Sequence, residues 1–472
     1  MAGHNITHGQ VQSQIKNMGV SPSRGWGWSF GKAVAEYGGG DAPQIAVACD
    51  HREASMETIA GVASGLRTAN CKVKVLGVVP EDALAYMIGT YMQDGGIYIT
   101  GGTGPNGNLE FRFKDHDAAP APIPLMQYTI RNFSNFHYEE DQHPDMEDFL
   151  IGIEYHKFLS RVVSEYGQWL KRETPLSVCI DNPISVGGLA FMGTLQQIKA
   201  PIPVEALMCN RPSRYARTSE TLSELGIKVA ETGAALGISF DDDGGGFHAV
   251  DNEGEVIHPA HVGALLTAST AARWPNGPVM ADHRMAFASL WAAQRSKVPF
   301  TTCLPGAACI KMAMRENGAT ICTSPEGRYY FRDVWWHESG VLAAVLLTHI
   351  AYLAPEGLSA LLKPMRAGMA SEGPEHMAGI LNARSVVDKV ASRLSDPAMG
   401  LYHIATDRGE DGSFILRSCL VGHDWRIVAT PEAGSINLCC EAFGGEDTRR
   451  LMGKVYEAVK TGITMANVKA GV

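Results

Sequence analysis

Residues 44–100 of the chain read QIAVACDHREASMETIAGVASGLRTANCKVKVLGVVPEDALAYMIGTYMQDGGIYIT. Three short apolar runs in this stretch are separated by two longer segments in which apolar residues recur at helical spacing. Strands that alternate with helices are typical of α/β proteins built on a parallel or mixed sheet. The pattern predicts strands at residues 44–49, 72–79 and 96–100, and helices at 57–67 and 83–92.

The same alternation continues along the chain and changes character only near the C-terminus. Further strand-like runs are found at residues 176–180, 204–208 and 236–240, and a third round covers residues 279 to about 353. The tail predicts an antiparallel sheet from runs at 413–420, 424–430 and 436–441, with a covering helix at 448–461. We therefore predict an α/β fold of three similar mixed-sheet domains and a smaller C-terminal α+β domain around a central cleft. The predicted domains are residues 1–143, 144–259, 260–370 and 371–472.

Composition limits the class of protein and its partners. The 472 residues are 45% hydrophobic and 19% charged, as in ordinary globular chains, with a net charge of −10. This acidic balance, without a basic block, argues against nucleic acid or an anionic membrane as the main partner. No apolar run approaches the roughly 20 residues of a membrane helix, and no apolar signal segment opens the chain. We therefore predict a cytoplasmic protein whose 10 scattered cysteines are buried thiols.

Glycine is unusually frequent, with 51 residues, and it concentrates in loops that follow predicted strands. A loop between a strand and a helix is where α/β proteins bind phosphates, because free N–H groups and the helix dipole favour an anion. We expect such anion-binding loops at four places. They are residues 19–25, 100–107, 240–246 and 324–328.

Several residues in these loops are candidates for binding or catalysis. Asp241, Asp242 and Asp243 offer the hard oxygen ligands that suit magnesium, although a charged turn would look the same. The arginines and threonines of the loops are further candidates, as phosphate clamps and hydroxyl donors, or else as a solvated cation and turn caps. These are Arg24, Arg328, Thr100 and Thr103. The nearby histidines form no spaced metal pair, and we expect them to be structural; they are His248, His283 and His337.

The order of these loops resembles that of the α-D-phosphohexomutase family, the phosphoglucomutases and phosphomannomutases, over nearly the whole chain. Residues 19–25 resemble the family's GTSGxRG, residues 49–52 its GxDxR, and residues 77–80 its GVVPTP. Residues 104–107 are similar to the PNG of the phosphoglucomutase branch, and residues 237–254 to the metal-loop strand and its successor. The resemblance implies a four-domain fold with a sugar phosphate as ligand. It assigns Arg52, Ser324, Glu326, Arg328 and Thr430 to substrate binding.

All four loops depart from the family's motifs. In the phosphoserine loop 100–107, Gly102 stands where the resemblance implies the phosphorylated serine, and glycine has no nucleophile. In the metal loop 240–246, Gly245 and Gly246 replace the third aspartate and the arginine of DGDGDR, which weakens the predicted magnesium site. The sugar loop 324–328 loses the glutamate and serine of GExSGH. The phosphate loop 428–434 loses the arginine of RxSGTEP.

Three hypotheses about function remain open from the sequence. In the first, a non-mutase binds a sugar phosphate or a related polar metabolite in the cleft, as a sensor or as the subunit of a protein partner. In the second, the cleft carries a repurposed enzymatic activity that uses Asp241–Asp243, with Arg24 as an anion clamp. In the third, a phosphosugar mutase, an isomerase of carbohydrate metabolism, survives with Thr103 or Thr100 as phosphoryl acceptor. A purely structural interaction protein is an unrelated alternative.

Overall fold

A computed structural model of the chain forms two compact units. The first comprises Met1–Val256, Lys311–Glu316 and Arg328–Leu353, and the second comprises Ile257–Ile310, Asn317–Gly327 and Ala354–Val472. The structure describes residues 4–7, 10–14, 20–101, 108–136, 147–169, 176–207, 219–378, 388, 391–392, 404–409, 412–418, 424–432, 435–443, 453, 457 and 461.

A mixed sheet of seven strands opens the first unit, in the order β1-β2-β6-β5-β3-β4-β7. Strands β5, β3, β4 and β7 are parallel to one another, whereas β6 is antiparallel to β5, and β2 is antiparallel to β6. The strands are β1 (His4–Thr7), β2 (Gln10–Gln14), β3 (Gln44–Cys49), β4 (Lys72–Val78), β5 (Gly95–Thr100), β6 (Asn108–Asp115) and β7 (Glu147–Asp148). The predicted alternation over residues 44–100 is confirmed, because β3, β4 and β5 are joined by two helices.

Four helices accompany this sheet, and an aromatic core lies beneath them. Trp26 and Phe30 of the first helix are fully buried and pack with Phe111 and Phe113, which lie on one face of β6. Burying such large apolar side chains is the main favourable contribution to the stability of the sheet. The helices are α1 (Val20–Val34), α2 (Glu53–Thr68), α3 (Glu81–Tyr91) and α4 (Ile123–Phe133).

A second sheet in the first unit has the strand order β11-β10-β8-β9. Strands β8, β9 and β10 are parallel, and β11 returns antiparallel to β10. These strands are β8 (Val178–Asp181), β9 (Val204–Leu207), β10 (Leu236–Phe240) and β11 (Phe247–Asp251), and β12 (Val256–Ile257) follows where the first unit gives way to the second. The accompanying helices are α5 (Gly152–Ser164), α6 (Val186–Ile198) and α7 (Ser219–Thr232).

The first unit also contains a short antiparallel hairpin and the long apolar helix that follows it. The hairpin strands are β16 (Tyr329–Phe331) and β17 (His337–Glu338), and the helix is α11 (Gly340–Leu353). Helix α11 is almost entirely buried and packs on α5 and α6. No single helix of the described residues is long and apolar enough to cross a membrane. Helix α11 and the next helix meet that requirement only together, as a bent pair.

The second unit has a parallel group of strands and a C-terminal antiparallel sheet. The central strand β13 pairs in parallel with β14 and β15. The C-terminal sheet has the order β18-β22-β21-β20-β19. The strands are β13 (Val279–Asp282), β14 (Phe300–Cys303), β15 (Ile321–Thr323), β18 (Met369–Ala378), β19 (Ile404–Arg408), β20 (Phe414–Ser418), β21 (Asp424–Glu432) and β22 (Ser435–Phe443).

Helices α8 (Pro259–Arg273), α9 (Phe287–Ser296) and α12 (Gly357–Gly368) belong to the second unit, and α10 (Ala307–Asn317) spans both. The predicted antiparallel C-terminal sheet is confirmed by the pairing of β20, β21 and β22. Of the predicted covering helix at 448–461, the structure describes only Gly453, Glu457 and Thr461, which are helical. The fold class, mixed-sheet α/β domains with a smaller C-terminal domain, is therefore as predicted, and the four domain boundaries stay predictions.

Candidate functional site

The aspartate loop 241–246 is a tight connection between two antiparallel strands. Phe240 at the end of β10 lies opposite Phe247 at the start of β11. The Asp241 N–H donates to the Gly246 carbonyl (2.9 Å), and the Gly244 N–H donates to the Asp241 carbonyl (3.0 Å). Gly244 has a φ of +70°, a conformation that favours glycine. With the Gly245 N–H, which donates to Asp243 Oδ1 (2.8 Å), the loop uses three of its own N–H groups internally.

The expectation that the glycine-rich loops lead from strands into helices is wrong for three of the four loops. Beyond the aspartate loop, β5 is followed by the antiparallel β6, and residues 324–328 connect β15 to β16. The first loop differs, because its residues 20–25 are the first residues of helix α1. A glycine-rich strand end therefore does not by itself decide which element comes next. A helix N-terminus, the basis for expecting phosphate at these loops, is therefore missing from the described residues that follow β5, β10 and β15.

The aspartate loop takes part in a buried ionic network within the first unit. Arg328 Nη2 lies 2.8 Å from Asp243 Oδ2 and 3.2 Å from Asp241 Oδ2, and its Nη1 lies 3.2 Å from Glu338 Oε1. Arg112 Nη1 contacts the same Asp243 oxygen at 2.7 Å. The structure therefore brings together the predicted residues Asp241, Asp243 and Arg328, and it adds Arg112 and Glu338 to them.

The network continues from Arg112 to the start of helix α3. Arg112 forms ion pairs with Glu81 and Glu110, and Lys114 Nζ lies 2.6 Å from Glu81 Oε1. Lys114 Nζ also lies 3.1 Å from Nε2 of His337. All of these side chains are less than a tenth exposed, as are those of Asp241, Asp243 and Glu338. We call the set the buried ionic network; its members are Glu81, Glu110, Arg112, Lys114, Asp241, Asp243, Arg328, His337 and Glu338.

Burial and pairing oppose each other in setting the charges of the network. Burial by itself would raise the pKa of Asp243, but Arg328 and Arg112 hold this pKa well below its usual range. Burial likewise opposes ionisation of Glu81, yet Arg112 and Lys114 lower its pKa. Desolvation lowers the pKa of His337 to about 4, so the ring is neutral at pH 7. A neutral ring with its proton on Nδ1 can donate to the Glu338 carbonyl (2.9 Å) and accept from Lys114.

The carboxylates and the histidine of the buried ionic network are the kinds of ligand that a divalent cation takes. Among the described residues, Glu81, His337 and Glu338 bring potential ligand atoms within 4.8 Å of one another. The Lys114 ammonium, however, already contacts both Glu81 and His337 there. In the same way, the Arg328 guanidinium contacts the carboxylates of Asp241 and Asp243. The ligand atoms therefore face cationic side chains of the protein, and as arranged they do not fit a divalent cation.

The predicted residues of the first mixed sheet have different surroundings. Arg52 forms an ion pair with Asp242 and its N–H donates to Asp50 Oδ1 (3.1 Å). Thr100 is fully buried, and its hydroxyl donates to Asp50 Oδ2 (2.8 Å). Arg24 lies on α1, is 6% exposed, and its Nε donates to Ser64 Oγ on α2 (2.8 Å). Thr103 lies outside the described residues.

The remaining predicted residues lie in the second unit. The Ser324 hydroxyl donates to Glu326, and Arg284 Nη1 lies 2.6 Å from Glu326 Oε1. Arg284 Nε also donates to Asp282 (3.0 Å). Burial would raise the pKa of Glu326, but Arg284 and the Ser324 hydrogen bond lower it. Thr430 is half-buried on β21, and within the described part of the chain its hydroxyl oxygen has no hydrogen-bond partner.

The sequence analysis missed the charged residues of strand β6. Glu110, Arg112 and Lys114 alternate with Phe111 and Phe113, so the three charges share one face of the strand. Such a face is usually exposed to solvent, but here both faces are buried. A signal was available in the sequence, because three charges on one face of a strand need oppositely charged partners if that face is buried. Glu81 follows Pro80 in the first turn of α3 and carried no such signal.

Comparisons with known proteins agree with this fold. The family model of phosphoglucomutase/phosphomannomutase α/β/α domain I matches residues 23–135. A phosphomannomutase/phosphoglucomutase of Pseudomonas syringae pv. tomato is 24% identical over 330 residues, 66% of this chain and 66% of that protein. The alignment thus spans just under two thirds of that relative's length. A phosphomannomutase of Salmonella montevideo is 22% identical over 423 residues, 85% of this chain and 86% of that protein.

A solved phosphoglucomutase/phosphomannomutase family protein from Burkholderia thailandensis has the same fold. Its TM-score is 0.74 at 19% identity, with 96% of each chain covered. The chain is thus an α/β protein with the fold of the phosphosugar mutases. With the domain I match and the curated relatives, this makes the chain similar to the α-D-phosphohexomutases over most of its length.

Proposed function

We propose that this protein binds a phosphorylated sugar or a related polar metabolite and does not act as a phosphoserine-dependent mutase. The observation that carries the proposal is the ion pairing of the aspartate loop. The carboxylates of Asp241 and Asp243 contact Arg328, and Asp243 also contacts Arg112. The charge of this loop is therefore offset by the protein's own side chains.

Phosphoryl transfer needs a nucleophile and charge neutralisation at the transferred group. Gly102 offers no nucleophile at the position where the resemblance implies a serine. The Thr100 hydroxyl is buried and donates a hydrogen bond to Asp50. This contact suits a residue that fixes the end of β5 better than one that accepts a phosphoryl group. Thr103 therefore remains the hydroxyl on which the surviving-mutase hypothesis depends.

The ligand class follows from the family. The curated relatives are named for reactions on phosphorylated mannose and glucose. The chain retains their fold and their order of loops, and a retained fold with changed catalytic loops is compatible with binding without phosphoryl transfer. The protein then acts either as a binding or partner subunit or as an enzyme with a different reaction on a sugar phosphate. Magnesium at Asp241–Asp243 stays a prediction and is not needed for this function.

Intact-protein mass spectrometry is the first test. The purified protein and its Thr103→Ala variant are incubated with glucose 1,6-bisphosphate, with and without magnesium. We expect no gain of a phosphoryl group in either protein. A gain in the wild type that is lost in Thr103→Ala, together with interconversion of hexose 1- and 6-phosphates, would establish a mutase and overturn the proposal.

Thermal unfolding with hexose phosphates tests binding directly. A ligand at 100 times its Kd stabilises the folded state by about 2.7 kcal/mol, which is readily measured. We expect saturable stabilisation by one or more hexose phosphates, and a smaller effect from glucose or inorganic phosphate alone. Stabilisation by none of them would contradict the proposal and favour an interaction protein. Turnover of a stabilising ligand that is lost in a folded Asp241→Asn variant would identify a repurposed enzyme.

A further inference from the structure

Position 245 of the aspartate loop has no side chain, and the Arg328 guanidinium fills the adjoining space. A Cβ at Gly245 would lie 2.5 Å from Arg328 Nη1, 3.1 Å from Asp243 Oδ1 and 3.3 Å from Glu338 Cγ. Real Cβ atoms do not approach other atoms as closely as 2.5 Å, so any larger residue at 245 would displace the guanidinium. The Arg328 guanidinium can therefore occupy this place only because residue 245 has no side chain.

The backbone holds Arg328 at this place. Gly246 and Arg328 form an antiparallel β-bridge, which ties the aspartate loop to the start of β16. The Gly340 N–H, at the start of α11, donates to the Gly244 carbonyl (3.2 Å). On the loop itself, the Gly245 N–H donates to Asp243 Oδ1 (2.8 Å), which fixes the carboxylate that Arg328 contacts through its other oxygen. The ion pair is thus fixed from both sides.

Arg328 lies where a cation shared by three carboxylates would lie. It contacts Asp241, Asp243 and Glu338, at N···O distances between 2.8 and 3.2 Å. Arg112 supplies a second positive charge to Asp243 at 2.7 Å. A buried carboxylate needs a partner because desolvation is costly, and two guanidinium groups supply here the positive charge that one divalent cation would bring.

We propose that the guanidinium of Arg328, assisted by Arg112 and admitted by Gly245, takes the place of a divalent cation in the aspartate loop. The loop is then a metal-independent site whose cation is part of the chain. A corollary is that removing the Arg328 side chain leaves carboxylates that gain affinity for a divalent cation. The proposal does not require that a sugar phosphate binds, so it can fail or succeed separately from the proposed function.

Manganese titration followed by electron paramagnetic resonance of the free ion tests this directly. Five full-length proteins are compared: wild type, Asp243→Asn, Arg328→Ala, Arg328→Ala with Asp243→Asn, and Arg315→Ala. Arg315 is the matched control, because it is exposed and pairs with the exposed Asp117 in the same unit. We expect Arg328→Ala to bind one manganese ion at least about tenfold more tightly than wild type. The Asp243→Asn double variant and Arg315→Ala should show no such gain.

Three results would overturn the proposal, and two of them come from the manganese titration. One is stoichiometric manganese binding by the wild type that is lost in Asp243→Asn, since the loop would then hold a metal despite Arg328. The other is a folded Arg328→Ala variant with wild-type manganese affinity. If Arg328→Ala does not fold, the variant Gly245→Asp with Arg328→Ala replaces the ion pair by a third carboxylate. Its unfolding temperature should rise with added magnesium and not with added sodium at equal ionic strength, and an equal response to both ions would refute the proposal.

Discussion

Arg112→Met is the most informative single perturbation of the buried ionic network. Methionine retains much of the apolar stem of arginine but removes the charge that Glu81, Glu110 and Asp243 share. Glu81 and Asp243 are 0% and 3% exposed, so water cannot replace the lost partner. Removing one partner of a buried ion pair costs about 3–5 kcal/mol. In this variant Lys114 still contacts Glu81, and Arg328 still contacts Asp243. We therefore expect a loss of stability at the lower end of that range, about 3 kcal/mol.

Urea unfolding measures the effect in the full chain, and amide hydrogen exchange in β5 and β6 localises it to the first unit. The matched control is Arg131→Met, because Arg131 pairs with Glu36 while their side chains are 57% and 41% exposed. An exposed pair of this kind contributes about 1 kcal/mol or less. The double variant of Arg112→Met with Glu81→Gln should be more stable than Arg112→Met alone, because it removes one of the three buried carboxylate charges that share Arg112. Equal, small losses for Arg112→Met and Arg131→Met would refute the account of the network as a set of interdependent buried charges.

Two further predictions concern other parts of the first unit. Burial raises the pKa of Asp82 from 3.8 to about 7, so the folded state binds this proton more tightly than the unfolded state. The folded state therefore loses stability as the pH rises from about 4 to about 8 and this carboxyl ionises. The stability of Asp82→Asn relative to wild type should therefore increase over that range by up to about 4 kcal/mol in urea unfolding, and a constant difference would contradict the shift. Gly65→Ala should lower stability by about 3 kcal/mol or more, because its Cβ would lie 1.9 Å from the backbone oxygen of Arg24. Gly152→Ala, with nothing within 4 Å of the new Cβ, should change stability by less than about 1 kcal/mol, and similar effects of the two substitutions would contradict the close approach of α1 and α2.

Much of the fold could be predicted because its signals are local. The strands Gln44–Cys49 and Leu236–Phe240 have the predicted bounds, and the helix between β4 and β5 differs by one or two residues at its ends. The spacing of apolar residues follows from the geometry of each helix or strand, so it can be recognised in the sequence without knowing what the element packs against. The resemblance to the phosphohexomutases, too, could be inferred from the order of the loops along the chain.

The candidate site could be predicted only in part. Asp241, Asp243 and Arg328 were all named from the sequence, but the contact of Arg112 with Asp243 was not, because 131 positions separate these two residues. The strand-to-helix prediction for the loops after β5, β10 and β15 was wrong for a different reason. A glycine indicates where a strand ends, but the chain can then enter a helix or return as an antiparallel strand, as β11 does beside β10.

The sequence by itself therefore indicated most of the strands and helices, the resemblance to the phosphohexomutases, and the glycine at position 102. The tertiary structure alone decided the charge balance of the aspartate loop. Arg112 on β6 and Arg328 before β16 reach the same Asp243 carboxylate only because the fold brings both side chains to the aspartate loop. A sequence shows which charged side chains are present. Their desolvation and pairing depend on which distant residues the fold brings within a few ångströms, and the interaction energies depend on those distances.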